Sequence, residues 1–322
     1  MQLCRKDSDV AGNVVFLASR LAVFAAVSLC GSLAWSQKVP LEFEIKWVNP
    51  PQEQIDRVTH STFASASMGR EAGFNVYLPR AYEAEPGRRF PVIYWLHGAG
   101  GNESSGIRVA RDYDRAIAAG VLPPVIVVFP NGGRRSEYRD WRDQNVLVET
   151  MIVRELIPLI DRKYRTIASR EGRAIEGMSM GGNGSLKLAF KYPELFTSVV
   201  AYAGSYRPLP EDGYFRGISA EQREWIAKLS QWYSADDDVF RLAAKNLERL
   251  AGLRIRFVSG SADVSLEDGE ALHAFLQRLG VPHEYEMLLD APHNQDQYYR
   301  RTGFHGFEHH ARSFKAAAAG SD

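Results

Sequence analysis

The chain has 322 residues, enough for one large domain or two small ones. Lys and Arg number 39 together, as do Asp and Glu, so the formal net charge is zero with histidine neutral. Nucleic-acid-binding proteins need a basic excess to neutralise phosphates, and this balance argues against that class. A hydrophobic fraction of 45% and an aromatic fraction of 11% support a sizeable core and argue against a disordered chain.

The N-terminal segment, residues 1–36, is predicted to be a signal peptide. An apolar run over residues 21–35 follows a basic stretch, and it is shorter than the roughly 20 apolar residues of a membrane span. Small residues at the end of this segment predict cleavage before Gln37. A lipoprotein site at Cys30 and an uncleaved membrane anchor are the alternatives.

Both cysteines, Cys4 and Cys30, lie inside this segment, so the mature chain is predicted to have none. Such a chain forms no disulfide or thiolate metal site and has no cysteine nucleophile. An exported chain without disulfides fits a bacterial periplasm or the medium better than a eukaryotic secretory route. We therefore expect a secreted or periplasmic bacterial protein with no stable membrane association after cleavage.

Residues 37–57 are predicted to be a lead-in, and residues 58–322 one α/β domain with a mostly parallel sheet and helices on both faces. Short apolar runs alternate there with longer amphipathic stretches, which is typical of βαβ units. The aromatic-rich segment 205–236 interrupts this alternation and is predicted to be a cap over the carboxyl edge of the sheet. The predicted strands are Val58–Ser65 (an antiparallel lead-in), Gly73–Leu78, Val92–Leu96, Val125–Phe129, Arg173–Gly177, Thr197–Ala203, Ile255–Ser259 and Glu284–Leu289, and the predicted helices are Ile107–Ala119, Val146–Arg165, Met180–Lys191, Val239–Leu250, Leu266–Leu279 and Asp296–Ala316.

A G-x-S-x-G motif, Gly177-Met178-Ser179-Met180-Gly181, stands between a predicted strand and a predicted helix. A sharp strand–turn–helix needs glycine on both sides of the serine, because the turn strains the serine backbone and crowds its neighbours. It lifts the hydroxyl above the sheet edge at a helix N-terminus, whose dipole favours developing negative charge. We predict Ser179 as a nucleophile. The alternative is a glycine-rich turn with a capping serine.

A second glycine-rich loop, residues 97–102 (HGAGGN), follows the strand that ends at Leu96. Glycines there let backbone N–H groups face a ligand. We predict that the N–H groups of Ala99 and Met180 form an oxyanion hole for acyl transfer. A phosphate cradle would need Lys and Ser/Thr at positions where they are missing, and a plain turn is the other alternative.

A serine nucleophile needs a histidine that takes its proton and an acid that orients the histidine. In a strand–turn–helix site of this kind the chain order is Ser, acid, His. His293 follows the last predicted strand at the carboxyl edge, so it is the predicted base. Asp263 follows the preceding strand and is the predicted acid. Asp268 is the alternative for the acid. However, Ser265 fits the N-cap and Asp268 the first turn of a helix, which gives Asp268 a structural role instead.

Aromatic side chains near the carboxyl edge are predicted to bind substrate. Four arginines alternate with two aromatic residues after Phe129, and Trp141 among them is a predicted rim residue for a carboxylated or sugar-bearing group. The alternative is a solvated loop with Trp141 packed inward. In the cap, Trp225 and Trp232 are seven residues apart and fall on one helical face. They are predicted to shape the acyl or sugar pocket, or alternatively to pack on the sheet.

Two further patterns are given structural interpretations. His305, Glu308 and His309 match H-x-x-E-H, but such a zinc site needs another carboxylate downstream and only Asp322 follows. We predict no metal. Glu176 stands inside an apolar strand, where an unpaired carboxylate is costly, so we expect an arginine partner or a hydrogen-bond network that supports the serine turn.

Two segments, residues 76–105 and 173–204, resemble the esterase D-type branch of the α/β-hydrolases, which includes feruloyl and acetylxylan esterases. The resemblance covers about residues 58–310 and implies the α/β-hydrolase fold. It implies that Ser179 is the family nucleophile, Asp263 the acid and His293 the base, with HGAGG as the oxyanion loop. S-formylglutathione hydrolases of this branch typically carry a cysteine after a threonine in that loop, so the chain is more similar to the secreted feruloyl and acetylxylan esterase-like members.

These observations predict an exported serine carboxylic-ester hydrolase that needs no cofactor. Its expected substrate is a small-molecule or carbohydrate ester, with feruloyl or acetyl esters of carbohydrates implied by the resemblance. An acyltransferase that delivers the same acyl group to a sugar hydroxyl is one alternative. A non-catalytic binding protein on the same fold is another, and the complete set of Ser, Asp and His argues against it.

Overall fold

Ten strands occur in the described part of this computed structural model, which covers residues 45–206 and 235–319. They are β1 (Val58–Ser65), β2 (Arg70–Tyr77), β3 (Val92–Leu96), β4 (Ile126–Pro130), β5 (Asp140–Trp141), β6 (Val146–Leu147), β7 (Arg173–Met178), β8 (Ser198–Tyr202), β9 (Arg254–Gly260) and β10 (Glu284–Leu288). Eight form one sheet in the order β1-β2-β4-β3-β7-β8-β9-β10, and β5 and β6 form a separate small hairpin.

The large sheet is antiparallel at one side and parallel across the rest. β1 pairs antiparallel with β2, and β2 with β4, whereas each neighbouring pair from β4 to β10 is parallel. β3, β4, β7 and β8 are buried along their whole length, which explains why apolar residues predominate in them. The predicted mostly parallel α/β sheet with an antiparallel lead-in is confirmed.

Nine α-helices accompany the sheet in the described residues, with a π-helical segment, Met151–Leu156, between the third and the fourth. They are α1 (Ala81–Ala84), α2 (Ala110–Ala118), α3 (Val148–Thr150), α4 (Ile157–Lys163), α5 (Met180–Lys191), α6 (Val239–Lys245), α7 (Leu266–Arg278), α8 (Gln295–Thr302) and α9 (His305–Ala319).

Three predicted helices need correction. The helix predicted over Asp296–Ala316 is two helices, because Gly303 adopts a φ of +55° that breaks the right-handed path. The helix predicted from Val146 begins at Val148, since Val146–Leu147 pairs with β5. The helix predicted over Val239–Leu250 ends at Lys245 and continues as a 3₁₀ turn.

Helices bury apolar side chains on both faces of the sheet. The helices α2, α8 and α9 contribute Tyr113, Tyr298 and Phe307 to the core on one face. On the other face, α5 and α7 contribute Leu186 and Phe275 to a larger core. Burial of aromatic and branched side chains on each face is the main force that holds these layers together.

Some predictions fall outside the described residues. These are the predicted signal peptide, most of the predicted cap, and its residues Trp225 and Trp232. Among the residues that the structure does describe, none of the helices combines the length and the apolar character needed to cross a bilayer.

Candidate active site

Ser179 lies in a strained turn between β7 and α5. Its φ of 59° and ψ of −119° are unfavourable for a residue with a Cβ and cost on the order of 1–3 kcal/mol. A Cβ on Gly177 would overlap the Gly181 carbonyl, and a Cβ on Gly181 would overlap the carbonyl of Leu96. The turn therefore needs both glycines of the motif, and it places Ser179 at the N-terminal end of α5.

The structure brings Ser179, His293 and Asp263 into one hydrogen-bonded chain. Nε2 of His293 lies 2.9 Å from Oγ of Ser179, and Nδ1 lies 2.9 Å and 3.0 Å from the two carboxylate oxygens of Asp263. An ionised carboxylate only accepts hydrogen bonds, so Nδ1 carries the hydrogen and Nε2 accepts from the serine hydroxyl. This is the arrangement that activates a serine for acyl transfer.

The carboxyl edge of the sheet explains why these residues meet. Asp263 follows the end of β9, and His293 follows β10, its parallel neighbour. Ser179 follows β7, which belongs to the same parallel set. Carboxyl ends of parallel strands lie at one edge of a sheet, and ligand sites of open α/β sheets form there.

Asp263 is held as a carboxylate by four hydrogen bonds besides those of its own backbone. Burial raises the pKa of Asp263, but the hydrogen bonds outweigh it and lower the pKa to about 2. The donors are His293, the backbone N–H of Ser265 at 2.8 Å, its hydroxyl at 2.7 Å, and the hydroxyl of Tyr298 at 2.8 Å. Asp263 is therefore ionised at neutral pH.

The pKa of His293 is shifted in the opposite direction to that of Asp263. Its hydrogen bond with the Asp263 carboxylate raises the pKa of His293 above the ordinary value of 6.5, and partial burial opposes this only in part. Its side chain is 37% exposed, so a substrate can reach the ring.

Asp268, the alternative to Asp263 for the acid, lies in the first turn of α7 and accepts a hydrogen bond from Ser205 at 2.9 Å. The expected cap of α7 is wrong in one respect. Ser265 stands at the N-cap position, but its side chain makes no cap hydrogen bond and donates to Asp263 instead. Sequence reasoning missed this partner of Asp263 and also Tyr298. The available signal was that Ser265 follows Asp263 by two residues.

The loop after β3 is fixed by His97, whose role the sequence did not reveal. Nε2 of His97 accepts the Gly132 N–H at 2.9 Å, so Nδ1 carries the hydrogen and donates to the Gly98 carbonyl at 2.9 Å. Burial lowers the pKa of His97 to about 4, which keeps the ring neutral. The Gly100 N–H donates to the carbonyl of Arg134 at 2.6 Å, so Ala99 lies between two anchored glycines.

Ala99 and Met180 lie on the two segments that meet at Ser179. Gly98, next to Ala99, is so close to the serine that an added Cβ would stand 3.4 Å from Cβ of Ser179. Met180 is the first residue of α5, where backbone N–H groups have no partner within the helix. Their assignment as oxyanion donors stays a prediction.

A buried lysine that the sequence analysis missed links α5, the helix that follows Ser179, to the neighbouring loop. Nζ of Lys187 donates to the carbonyls of Glu137 at 2.9 Å and Tyr138 at 2.6 Å. The Tyr138 hydroxyl in turn donates to the His97 carbonyl at 2.9 Å. The loop, the glycine-rich segment and α5 are thus held in one arrangement around Ser179.

The predicted arginine rim needs correction at Arg139, which is buried. Its guanidinium stacks on the ring of Trp141, 3.5 Å from the ring centre, and the indole N–H donates to the Ser136 carbonyl at 2.8 Å. Trp141 is half-buried and packs against the core. The loop thus uses Trp141 in its own packing, and a role in substrate binding stays a prediction.

Glu176 lies in a buried hydrogen-bond network, which confirms the second of the two expectations. Tyr299 donates its hydroxyl to Oε1, and Nε2 of His310 lies 3.2 Å from Oε2. Trp95 donates to the Tyr299 hydroxyl at 2.7 Å, and Ser198 lies 2.5 Å from Nδ1 of His310. All these side chains are buried, and Glu176 is three residues from Ser179.

The two histidines of the H-x-x-E-H pattern face different acidic residues of β10. Nδ1 of His305 is 3.3 Å from Glu286, and Nδ1 of His309 is 3.2 Å from Glu284. Over residues 45–206 and 235–319, no group of three or more His, Cys, Asp or Glu side chains is arranged to hold a metal ion.

The sheet order and the serine turn define the α/β-hydrolase fold, and solved structures agree. A ferulic acid esterase superposes with a TM-score of 0.67 at 23% identity, covering 80% of this chain and 98% of its own. An S-formylglutathione hydrolase from Agrobacterium tumefaciens superposes with a TM-score of 0.62 at 20% identity, covering 80% and 95%. At these identities the likeness shows the fold alone.

Residues 65–320 match the model of the family described as "Putative esterase", and the chain belongs to that family. Esterase Rv1288 of Mycobacterium tuberculosis is 34% identical over 166 residues, covering 47% of this chain and 33% of its own. An endo-1,4-beta-xylanase/feruloyl esterase of Xylanibacter ruminicola is 35% identical over 181 residues, covering 52% and 24%. The matched segments thus span a third or less of these curated relatives.

Proposed function

We propose that the protein is an exported serine carboxylic-ester hydrolase that acts through an acyl-enzyme on acyl esters of carbohydrates. The observation that carries the proposal is the hydrogen-bonded chain from Ser179 through His293 to Asp263, with the serine on a strained turn. Membership of the esterase family supports the same reaction class.

In the first half of the proposed reaction, Oγ of Ser179 attacks the ester carbonyl and its proton moves to Nε2 of His293. The Asp263 carboxylate keeps Nδ1–H in place and stabilises the imidazolium that forms. The N–H groups of Ala99 and Met180 bind the oxyanion of the tetrahedral intermediate. The intermediate collapses, the acyl–oxygen bond of the substrate breaks, and His293 gives its proton to the departing alkoxide.

In the second half, water attacks the acyl-enzyme. His293 takes a proton from the water, the second tetrahedral intermediate collapses, and the same proton returns to Oγ of Ser179 as the carboxylic acid leaves. This sequence balances with ester and water as the only reactants, so it requires no cofactor.

Relatives support the choice of acyl group. The Xylanibacter ruminicola protein is named a xylanase/feruloyl esterase, and an acetyl esterase of Caldicellulosiruptor saccharolyticus is 25% identical over 204 residues, covering 61% of this chain and 74% of its own. The first name specifies a feruloyl ester, beside a xylanase activity, and the second specifies an acetyl ester. The predicted signal peptide before Gln37 fits an enzyme that meets such a substrate outside the cytoplasm.

An ester panel tests the proposal. Feruloyl, acetylated-sugar and short acyl esters are incubated with the protein and with Ser179→Ala, and the products are analysed with and without an added sugar acceptor. We expect Ser179-dependent release of free acid in both conditions. Transfer of the acyl group to the acceptor in preference to water would instead identify an acyltransferase, and no turnover of any ester would contradict catalysis.

A further inference from the structure

The hydroxyl of Tyr298 reaches the predicted acid from the helix that follows the predicted base. Oη of Tyr298 donates to Oδ2 of Asp263 at 2.8 Å, and Nδ1 of His293 lies 2.9 Å from the same oxygen. His293 stands two residues before α8 begins, and Tyr298 is the fourth residue of that helix. One short segment of chain therefore brings two hydrogen-bond donors to a single carboxylate oxygen.

The position of this hydroxyl is fixed by the packing around it. The Tyr298 side chain is fully buried, and its ring meets that of Tyr202 on β8 edge to face, with the ring centres 6.3 Å apart. A Cβ on Gly260, the last residue of β9, would stand 2.9 Å from Oη of Tyr298, so the glycine leaves space for the hydroxyl. The start of α8 is capped by the Asn294 side chain, which accepts the Gln297 N–H at 3.0 Å.

The other oxygen of the carboxylate is held by Ser265. Oδ1 of Asp263 accepts the backbone N–H of Ser265 at 2.8 Å and its hydroxyl at 2.7 Å. Nδ1 of His293 lies 3.0 Å from this oxygen as well. Each carboxylate oxygen is thus shared between His293 and a buried hydroxyl, and loss of one hydroxyl still leaves Asp263 held by the remaining donors.

The charges around this contact are simple near neutral pH. Burial and the contact with Asp263 raise the pKa of Tyr298, so its hydroxyl stays protonated and can donate. The pKa of Asp263 is lowered to about 2, so the carboxylate accepts. Three more tyrosines of the described chain face Tyr298 and are neutral because burial raises their pKa values, namely Tyr202, Tyr206 and Tyr285. His293 is therefore the group of this cluster that changes charge near neutral pH.

We infer that the hydroxyls of Tyr298 and Ser265 are positioning groups for the proposed reaction, because each shares an oxygen of Asp263 with His293 and together they limit how strongly the acid holds a proton on the base. The inference rests on the proposed function, in which His293 must be neutral to accept the serine proton. A donor at a carboxylate oxygen withdraws part of its negative charge, so the imidazolium is stabilised less than by an unshared carboxylate.

Tyr298→Phe removes only the hydroxyl and tests the inference. We expect the half-maximal pH of kcat/KM to rise by at least about half a pH unit, because the carboxylate then acts more strongly on His293. Tyr299→Phe is the matched control, since this neighbouring buried tyrosine donates its hydroxyl to Glu176 instead. It should also lose stability but should keep the half-maximal pH of the wild type. An unchanged or lower half-maximal pH in Tyr298→Phe would overturn the inference.

A second variant and a second measurement keep the test independent of one variant's folding and of turnover. Ser265→Ala removes the hydroxyl from the other oxygen and should shift the half-maximal pH in the same direction. An NMR titration of the His293 ring, assigned by comparison with His293→Gln, should show the same rise of its pKa without substrate. Equal titration in the wild type and both hydroxyl variants would contradict the inference. Absence of Ser179-dependent ester hydrolysis in the wild type would instead be a failure of the proposed function.

Discussion

Glu176 and His310 face one another inside the fold, with Oε2 and Nε2 3.2 Å apart and both side chains fully buried. Glu176 belongs to β7, which leads directly into the serine turn, and His310 belongs to α9 near the end of the described chain. The pair therefore fastens the last helix to the strand that positions Ser179.

Breaking this pair should be costly for stability. His310→Phe removes the histidine hydrogen-bond partner of the buried Glu176, and we expect the free energy of unfolding to fall by about 1–3 kcal/mol. His305→Phe makes the same change on the same helix, but His305 is 56% exposed and pairs with Glu286 at the surface. That control should cost at most about 1 kcal/mol. Denaturant unfolding measures the free energy of unfolding of both variants. Equal losses in the two would show that the buried pair stabilises the fold no more than the exposed one does.

Asp263 and Asp268 offer a matched pair for the assignment of the acid. Asp263→Asn should lower kcat by orders of magnitude, because the asparagine amide can donate to the histidine and favour the wrong tautomer. Asp268→Asn removes a charge from the first turn of α7 and should cost on the order of 1 kcal/mol or less in stability, with kcat little changed. Steady-state kinetics and thermal unfolding of both variants test this assignment. A larger fall of kcat in Asp268→Asn than in Asp263→Asn would make Asp268 the acid.

The pH dependence follows from the raised pKa of His293. The base must be neutral to accept the serine proton, so activity should rise as pH rises through this pKa, with the half-maximal point of kcat/KM above 6.5. The hydrogen bond with Asp263 is the largest cause that raises this pKa. The rise of kcat/KM with pH in Asp263→Asn should therefore lie at lower pH than in the wild type. A half-maximal pH at or below 6.5 in the wild type, or the same half-maximal pH in the wild type and the variant, would argue against the Asp263–His293 coupling.

Trp225 and Trp232 are predicted to contribute to the choice of acyl group. If they line the acyl or sugar pocket, Trp225→Ala or Trp232→Ala should change the ratio of kcat/KM for an aromatic ester to that for an acetyl ester by at least about tenfold, which is about 1.4 kcal/mol. A fully buried tryptophan would instead cost about 3–5 kcal/mol of stability when truncated. Equal loss on both esters with a large fall in Tm would assign these side chains to the core.

The central strands of the sheet were predicted well because they are buried and apolar, as in Val92–Leu96, or lead into a recognisable motif, as at Ser179. Helix ends were predicted less well. Gly303 breaks a helix that the apolar pattern would continue, and Val146 enters a hairpin because Asp140–Trp141 lies opposite it.

The partners of the candidate site could not be predicted, because they come from distant parts of the chain. Tyr298 reaches Asp263 from α8, and Lys187 holds Tyr138 from α5. Nothing in the local pattern of either donor indicates which carbonyl or carboxylate it meets. The meeting of Ser179, Asp263 and His293 was predictable because the order of strands fixes which loops share the carboxyl edge.

The most direct test of the account is the rate of ester hydrolysis by Ser179→Ala beside that of Ser169→Ala, an exposed serine that precedes β7. We expect Ser179→Ala to lose turnover by up to about 10⁶-fold with an unchanged Tm, because the serine forms the covalent intermediate in the proposed reaction. Ser169→Ala should match the wild type. Hydrolysis by folded Ser179→Ala at more than about a tenth of the wild-type rate would contradict the account, because removal of a triad serine leaves only a small residue of catalysis.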